Sequence, residues 1–128
     1  MAQVKIYGER THLRAVRSVL SDIIHASFVT AIGLPEDKRF HRFIALDAED
    51  FIYPPGRTGA YTVIEILMFE GRSADAKATL LETLMRTISE GLAIAIDDIE
   101  ITIIETPRAN WGIRGQTGDK LKLSYTVG

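Results

Sequence analysis

Apolar and polar residues follow two periods along this chain, and each period occurs twice. Val4 to Tyr7 alternate residue by residue, as a half-buried strand does. Gly8 is expected to end that strand, and Thr11 to cap the helix that follows. Leu13, Val16, Leu20, Ile23, Ile24 and Phe28 then recur at three- and four-residue steps, which places them on one helix face. Gly33 and Pro35 stop that helix. Phe40 to Leu46 resumes an apolar pattern suited to a strand. The order then repeats. Thr62–Phe69 (TVIEILMF) is rich in β-branched and aromatic residues and reads as a buried strand. Gly71 breaks it, and Ser73 is the next capping residue. Leu80, Leu81, Leu84, Met85, Ile88 and Leu92 form a second helical stripe, and Ile99 to Glu105 another strand. Lys120 to Val127 alternate once more and predict an edge or exchanged strand, whose lysines discourage unwanted pairing.

The two copies repeat at about sixty residues, an internal duplication. The chain is expected to be a single domain, 1–128, with repeats of approximately 1–60 and 61–128. Between them, Asp47 to Ala60 holds Pro54-Pro55-Gly56 and Thr58-Gly59, the composition of a loop. Phe51, Tyr53 and Tyr61 predict that this loop is packed rather than loose. Two βαβ units with right-handed crossovers fold most simply as one four-stranded sheet with both helices on one face, an α+β class. The strand 62–69 carries Val63, Ile64, Ile66 and Leu67 on both of its sides. A strand apolar on both faces is buried on both, and one helical layer covers only one. The pattern therefore predicts an oligomer with the free sheet faces packed inward.

Composition narrows the function. The chain has 128 residues, 46% hydrophobic, enough for one real core. Fifteen basic residues stand against 17 acidic ones, a net charge of -2. That is no electrostatic footprint for nucleic acid or an anionic membrane. There is no Cys, which removes thiolate chemistry and Cys-ligated metals. The first ten residues hold no apolar segment of a secretory signal. No apolar stretch approaches the ~18 residues that span a bilayer, so the expected compartment is the cytoplasm. His12, His25 and His41 are scattered without metal-ligand spacing. No G-x-G-x-x-G, P-loop or nucleophile elbow is present. Neither a metal nor a cofactor is expected.

Several short motifs, in their order and spacing, carry a resemblance. Glu70-Gly71-Arg72-Ser73 with Lys77 is similar to the helix entry of the tautomerase superfamily, which includes 4-oxalocrotonate tautomerase, malonate semialdehyde decarboxylase and the 3-chloroacrylate dehalogenases. Asn110-Trp111-Gly112-Ile113 resembles that superfamily's aromatic-Gly turn. Gly33-Leu34-Pro35-Glu36-Asp37-Lys38-Arg39-Phe40 and Gln116-Thr117-Gly118-Asp119 resemble runs of the decarboxylase-like branch. The likeness covers nearly the whole chain. It implies a homotrimer of double βαβ protomers with sites between subunits. It also implies proton transfer on small 2-oxo, enol or unsaturated acids by an N-terminal proline. An α-amino group titrates near pH 8 (~7.7–8.0), and cationic neighbours pull it lower, towards the working pH.

This chain departs from that pattern at its first residues. It begins Met-Ala-Gln, and its first proline is Pro35. Ala2 supplies a primary amine in place of the proline only if Met1 is removed. By the resemblance, Arg72 binds the substrate carboxylate, Arg39 supplies a second cation and Trp111 walls the pocket. Phe69 and Glu70 stand where the decarboxylase and dehalogenase branches carry a second arginine. Asp37 reads as a charged loop tip. Arg57, Arg108, Asn110 and Arg114 read as solvated. The function implied is the binding of a small carboxylate-bearing, enolisable or 2-oxo compound, with weak keto–enol tautomerase activity. The alternative is a non-catalytic small-molecule binder or protein-interaction trimer on the same fold.

Overall fold

The computed structural model describes residues 2–122. Strand β1 (Ala2–Glu9) leads into helix α1 (Arg10–Ile32) and returns as β2 (His41–Leu46). Strand β3 (Thr62–Phe69), helix α2 (Ala74–Leu92) and strand β4 (Ile99–Thr106) repeat the order. The four strands form one sheet, β2-β1-β3-β4. β1 runs parallel to β2 and β3 parallel to β4, as helix crossovers require. The two units meet antiparallel along β1 and β3, from Ala2 opposite Met68 to Gly8 opposite Thr62. A short hairpin follows, β5 (Gly112–Ile113) with β6 (Gln116–Thr117). It is too short to show a strand period in sequence. The terminal strand expected over Lys120 to Val127 falls largely outside the described residues. Its first residues follow a turn, and Leu121 is buried.

Two local expectations are corrected. Gly8 does not end β1 but lies inside it, paired with Ala45 and Thr62. Its glycine identity serves close approach, because a Cβ there would lie 2.9 Å from Leu13 Cγ. Thr11 does not cap α1. The helix begins at Arg10, with Glu9 at the cap position and no side-chain cap hydrogen bond. Gly33 does end α1, in the left-handed region at φ 68°, donating its N–H to Val29 O while Leu34 N–H donates to Phe28 O. Ser73 does cap α2, accepting from Ala76 N–H at 3.1 Å.

The strand period decides where the core lies. Val4, Ile6, Ile64 and Ile66 face the helices and are 0–2% exposed. Against them pack Leu13, Leu20, Ile24 and Phe28 of α1, with Leu80, Leu84 and Ile88 of α2. Each such side chain contributes ~1.5–3 kcal/mol through burial. By length and composition alone α1 is apolar enough to cross a membrane, contrary to the sequence expectation. Its buried stripe is instead committed to this core.

Matching core residues sit sixty apart, Leu20 with Leu80, Ile24 with Leu84 and Phe28 with Ile88. On the same offset, Ser27 and Thr87 share a 2.9 Å hydrogen bond between the two helices. The repeats are thus related about an axis passing between these two hydroxyls. The sheet's other face carries Lys5, Tyr7, Val63, Glu65 and Leu67, all half-buried. Tyr7 donates its hydroxyl to Glu65 across it at 2.8 Å, which raises the tyrosine pKa.

Candidate functional site

A cavity of about 290 Å³ opens at the end of the sheet where β1 begins. Gln3, Leu67, Thr106, Asn110, Trp111 and Gly112 line it. Gln3 and Leu67 are register partners on the face away from the helices, so strand pairing brings them together. Thr106 is the last residue of β4. The chain then makes a tight turn, with Asn110 N–H donating to Pro107 O and Trp111 N–H to Arg108 O. That turn aims Trp111 back over the strand ends.

A second, small apolar cluster holds the indole. Trp111 meets Phe69 edge-on, with ring centroids 5.1 Å apart. Leu121 and Ile113 pack on the same pair. The Arg108 guanidinium lies 5.2 Å from the Phe69 ring centre, on the cation–π side, and donates to the Leu121 carbonyl at 3.4 Å. Gly118 donates its N–H to Trp111 O at 2.6 Å. A Cβ at Gly118 would collide with the Arg108 carbonyl oxygen and lie 3.1 Å from Phe69 Cζ. Glycine there lets the hairpin close over the turn, and so fixes the tryptophan wall.

The other residues singled out in the sequence fall in different places. Ala2 is 5% exposed and adjoins Gln3 at the cavity mouth. Met1 lies outside the described residues. Arg72 is buried at the entry of α2, between Gly71 (φ 124°) and the cap Ser73. It follows three residues after Phe69, whose ring supports Trp111. Arg39 binds Asp22 on α1 at 2.6 Å. Arg72 and Arg39 are not among the described residues lining the cavity of this protomer. Asp37 is exposed, 3.8 Å from Lys38. Lys77 reaches Glu105 at 2.8 Å, tying α2 to β4 beside Thr106.

The opposite end of the sheet shows what the repeat has become there. Asp50, Phe51 and Ile52 stand sixty residues before Asn110, Trp111 and Gly112. Phe51 stacks on Tyr61 at 5.5 Å, and Tyr53 lies 5.4 Å from the same ring. Tyr53 donates its hydroxyl to Glu9 at 2.9 Å, which raises its pKa. Buried Asp98 accepts from Thr58 N–H at 2.8 Å and from its hydroxyl at 2.6 Å. The Pro-rich loop is therefore packed, as its aromatics predict. Arg57, expected to be solvated, is half-buried and lies over Tyr61, 5.9 Å from its centre.

The three histidines each have a hydrogen-bond partner within the fold. His25 donates Nε2–H to the Glu36 carbonyl at 2.7 Å. His41 shares a 2.7 Å hydrogen bond with Ser21, and its pKa is lowered to about 4 by burial, then by Arg39 and His25. His12 contacts Thr62 Oγ1 at 3.3 Å and is also shifted down by burial. Among the described residues, one carboxylate group, Asp47, Glu49 and Asp50, is close enough to share a cation. All three are exposed, and Asp47 is already 3.1 Å from Arg10.

Sequence reasoning found Trp111 but passed over Gln3, Leu67 and Thr106. The alternation alone shows that Gln3 faces away from Val4, yet which strand it meets depends on pairing that one sequence does not state. Known proteins resemble this chain in sequence and in fold. The family described as tautomerase enzyme matches residues 38–114. The 2-hydroxymuconate tautomerase of Comamonas testosteroni is 32% identical over 57 residues, 44% of this chain and 90% of that one. Among solved structures, a malonate semialdehyde decarboxylase superposes with a TM-score of 0.79 at 21% identity, covering 89% of this chain and 92% of that one. A fused 4-OT described as an asymmetric trimer gives a TM-score of 0.81 at 24% identity, covering 91% and 96%.

Proposed function

The chain belongs to the tautomerase enzyme family, and from that premise we propose that it binds a small carboxylate-bearing, enolisable or 2-oxo compound in the Trp111 cavity. Keto–enol tautomerisation, at a low rate, is the reaction. One observation carries the reading: the cavity lies at the start of β1, lined by Gln3, the residue next to Ala2, and is walled by Trp111. Trp111 provides a flat apolar wall for a conjugated ligand. Arg72 holds the carboxylate, in charge-assisted hydrogen bonds that a guanidinium makes bidentately. Arg39, directed away from this cavity within its own protomer, supplies a cation across a subunit boundary. The base is the amine of Ala2 once Met1 is removed, an amine of pKa ~8 before its surroundings act.

A homotrimer is the assembly we infer. The half-buried residues on the open sheet face, Val63 and Leu67 among them, support it, as does the trimeric fused 4-OT. The protein works in the cytoplasm without metal or cofactor, and neither nucleic acid nor membrane is its partner.

A second reading is a non-catalytic binder on the same fold. It is favoured by the Met-Ala-Gln start and by Phe69 and Glu70 in place of a second arginine. A turnover assay separates the two. Phenylenolpyruvate and 2-hydroxymuconate are offered to the wild type, to Arg72→Ala and to an Ala2→Pro variant with Met1 removed. Wild-type activity that falls at least tenfold in Arg72→Ala supports the enzyme. A silent wild type with an active proline variant assigns an intact pocket to a binder. Activity in no variant overturns the catalytic reading.

A further inference from the structure

We propose that the open face of the sheet binds a second copy of this chain head to tail, with Arg42 and Lys5 of one protomer against Glu100 and Glu65 of the next. The inference rests on the homotrimer reading above and adds the pairing that builds it.

The open face is divided by charge. Arg42 stands opposite Lys5, Lys5 opposite Glu65 and Glu65 opposite Thr102, so these residues form one row across the four strands. Register partners share a face, and strand alternation adds Ile44, Glu100 and Ile104 to it. The cations thus sit on β2 and β1, and the carboxylates on β3 and β4. Glu9, at the far end of β1, accepts from the Tyr53 hydroxyl.

Like charges directly opposite each other destabilise a sheet. Lys5 and Arg42 are such a pair, and neither side chain has a hydrogen-bond or ion-pair partner among the described residues. Lys5 also stands opposite Glu65, yet that carboxylate turns to the neutral hydroxyl of Tyr7. Glu100 is exposed, and its ion pair with Arg57 is long, at 4.0 Å. Both halves of the face therefore carry charge that the protomer leaves unbalanced.

One protomer cannot close Arg42 on Glu100. Their strands are the two edges of the sheet, three strand spacings or roughly 14 Å apart. Only another copy brings a β4 carboxylate to the β2 guanidinium. The edges match in apolar character too. Phe40, just before β2, is 42% exposed, and Ile104 on β4 is 40% exposed. A contact between two different edges is heterologous, so each added copy leaves one edge open until the ring closes. Closure also covers the unpaired backbone groups of both edges.

The test is sedimentation equilibrium of the full-length protein at low and high salt, with charge reversals at the two edges. Arg42 and Glu100 are exposed, so each variant is expected to keep the helical circular dichroism of the wild type. Arg42→Glu and Glu100→Arg are each expected to weaken the trimer about tenfold or more, since like charges then face each other. The two reversals combined are expected to return it to within about threefold of wild type, because the pair is exchanged rather than lost. High salt is expected to weaken the wild type and to strengthen each single reversal. In a mixture of the two reversed chains, native mass spectrometry is expected to show mixed trimers in preference to either homotrimer.

A trimer indifferent to both reversals overturns the pairing and leaves the trimer reading standing. Weakening by both without recovery in the combined variant also overturns it, since each residue then acts within its own protomer. Weakening by Arg42→Glu alone assigns the cations a different partner and overturns it as well. If a reversal lowers the helical signal, Arg42→Gln and Glu100→Gln take its place, and additive losses in their combination overturn the pairing. A monomeric wild type overturns both readings.

Discussion

Replacing Gly118 by alanine tests whether the tryptophan wall depends on the closeness of the hairpin to the 108–110 turn. The new methyl would collide with the Arg108 carbonyl oxygen, 3.2 Å from its carbon, and sit 3.1 Å from Phe69 Cζ. A side chain could turn aside, but the carbonyl is backbone. Either residues 117–119 lift, breaking the 2.6 Å Gly118–Trp111 hydrogen bond, or the turn moves and carries Trp111 with it. Overpacking of this kind costs ~1–3 kcal/mol. For a chain of this size each kcal/mol corresponds to roughly 3–6 °C in Tm. The main core lies on the other side of the sheet, so the damage should be local. Urea unfolding is followed in parallel by helix circular dichroism and by tryptophan emission. The emission transition is expected to move to lower urea, and to precede the helix transition. Phe69→Leu removes the softer of the two collisions and is expected not to rescue the variant. A Gly118→Ala protein within 0.5 kcal/mol of wild type, by the ~1 kcal/mol lower limit above, refutes the argument. Full rescue by Phe69→Leu refutes it too, because the backbone clash would then be shown not to matter.

Three further outcomes follow from the packing and the titrations. Leu84→Ala, at a position 0% exposed, should cost ~2–5 kcal/mol in urea unfolding. Asp98→Asn leaves a buried amide facing both donors of Thr58 and should cost ~1–3 kcal/mol. It should also expose the 47–60 loop to limited proteolysis, whereas unchanged cleavage would show that the loop is held by its aromatics alone. His41 has a folded pKa of about 4 against 6.5 in the unfolded chain. The unfolded state therefore takes the proton first as the solution is acidified. The His41 contribution is complete above pH 6.5 and is lost as pH falls to 4, on the order of 3 kcal/mol in all. Urea midpoints from pH 7 to pH 4 should flatten in His41→Asn, and an imidazole that titrates at pH 6 by NMR would contradict this.

Much of the fold was legible because its signals are local. The stripe ending in Phe28, the Gly33 stop and the Ser73 cap each depend on a few neighbouring residues. Gly8 and Thr11 misled for the same reason. Gly8 looks like a strand breaker until Leu13 is packed against it, and Leu13 gets there only when α1 folds back over the sheet. Trp111 could be found because its motif is continuous. The rest of the cavity could not, since Gln3, Leu67 and Thr106 come from three strands whose pairing lies beyond local pattern. Arg39 shows the converse: a residue chosen by sequence likeness turns, in its own protomer, towards Asp22 on α1.

The hydrogen bond between Ser27 and Thr87 joins two residues that a perfectly repeated chain would make identical. The Comamonas testosteroni relative is matched over 90% of its length by 57 residues, less than half of this chain. A half-length gene writes every substitution into each copy of its product. Covalent fusion of the halves lifts that constraint. Here one end of the sheet carries an open cavity under Trp111, while the end related to it by the axis is filled by Phe51, Tyr53 and Tyr61 as a packed brace. A mutation that reshapes the cavity at the first end need not be tolerated at the second, so the cavity and the brace can be selected separately within one polypeptide.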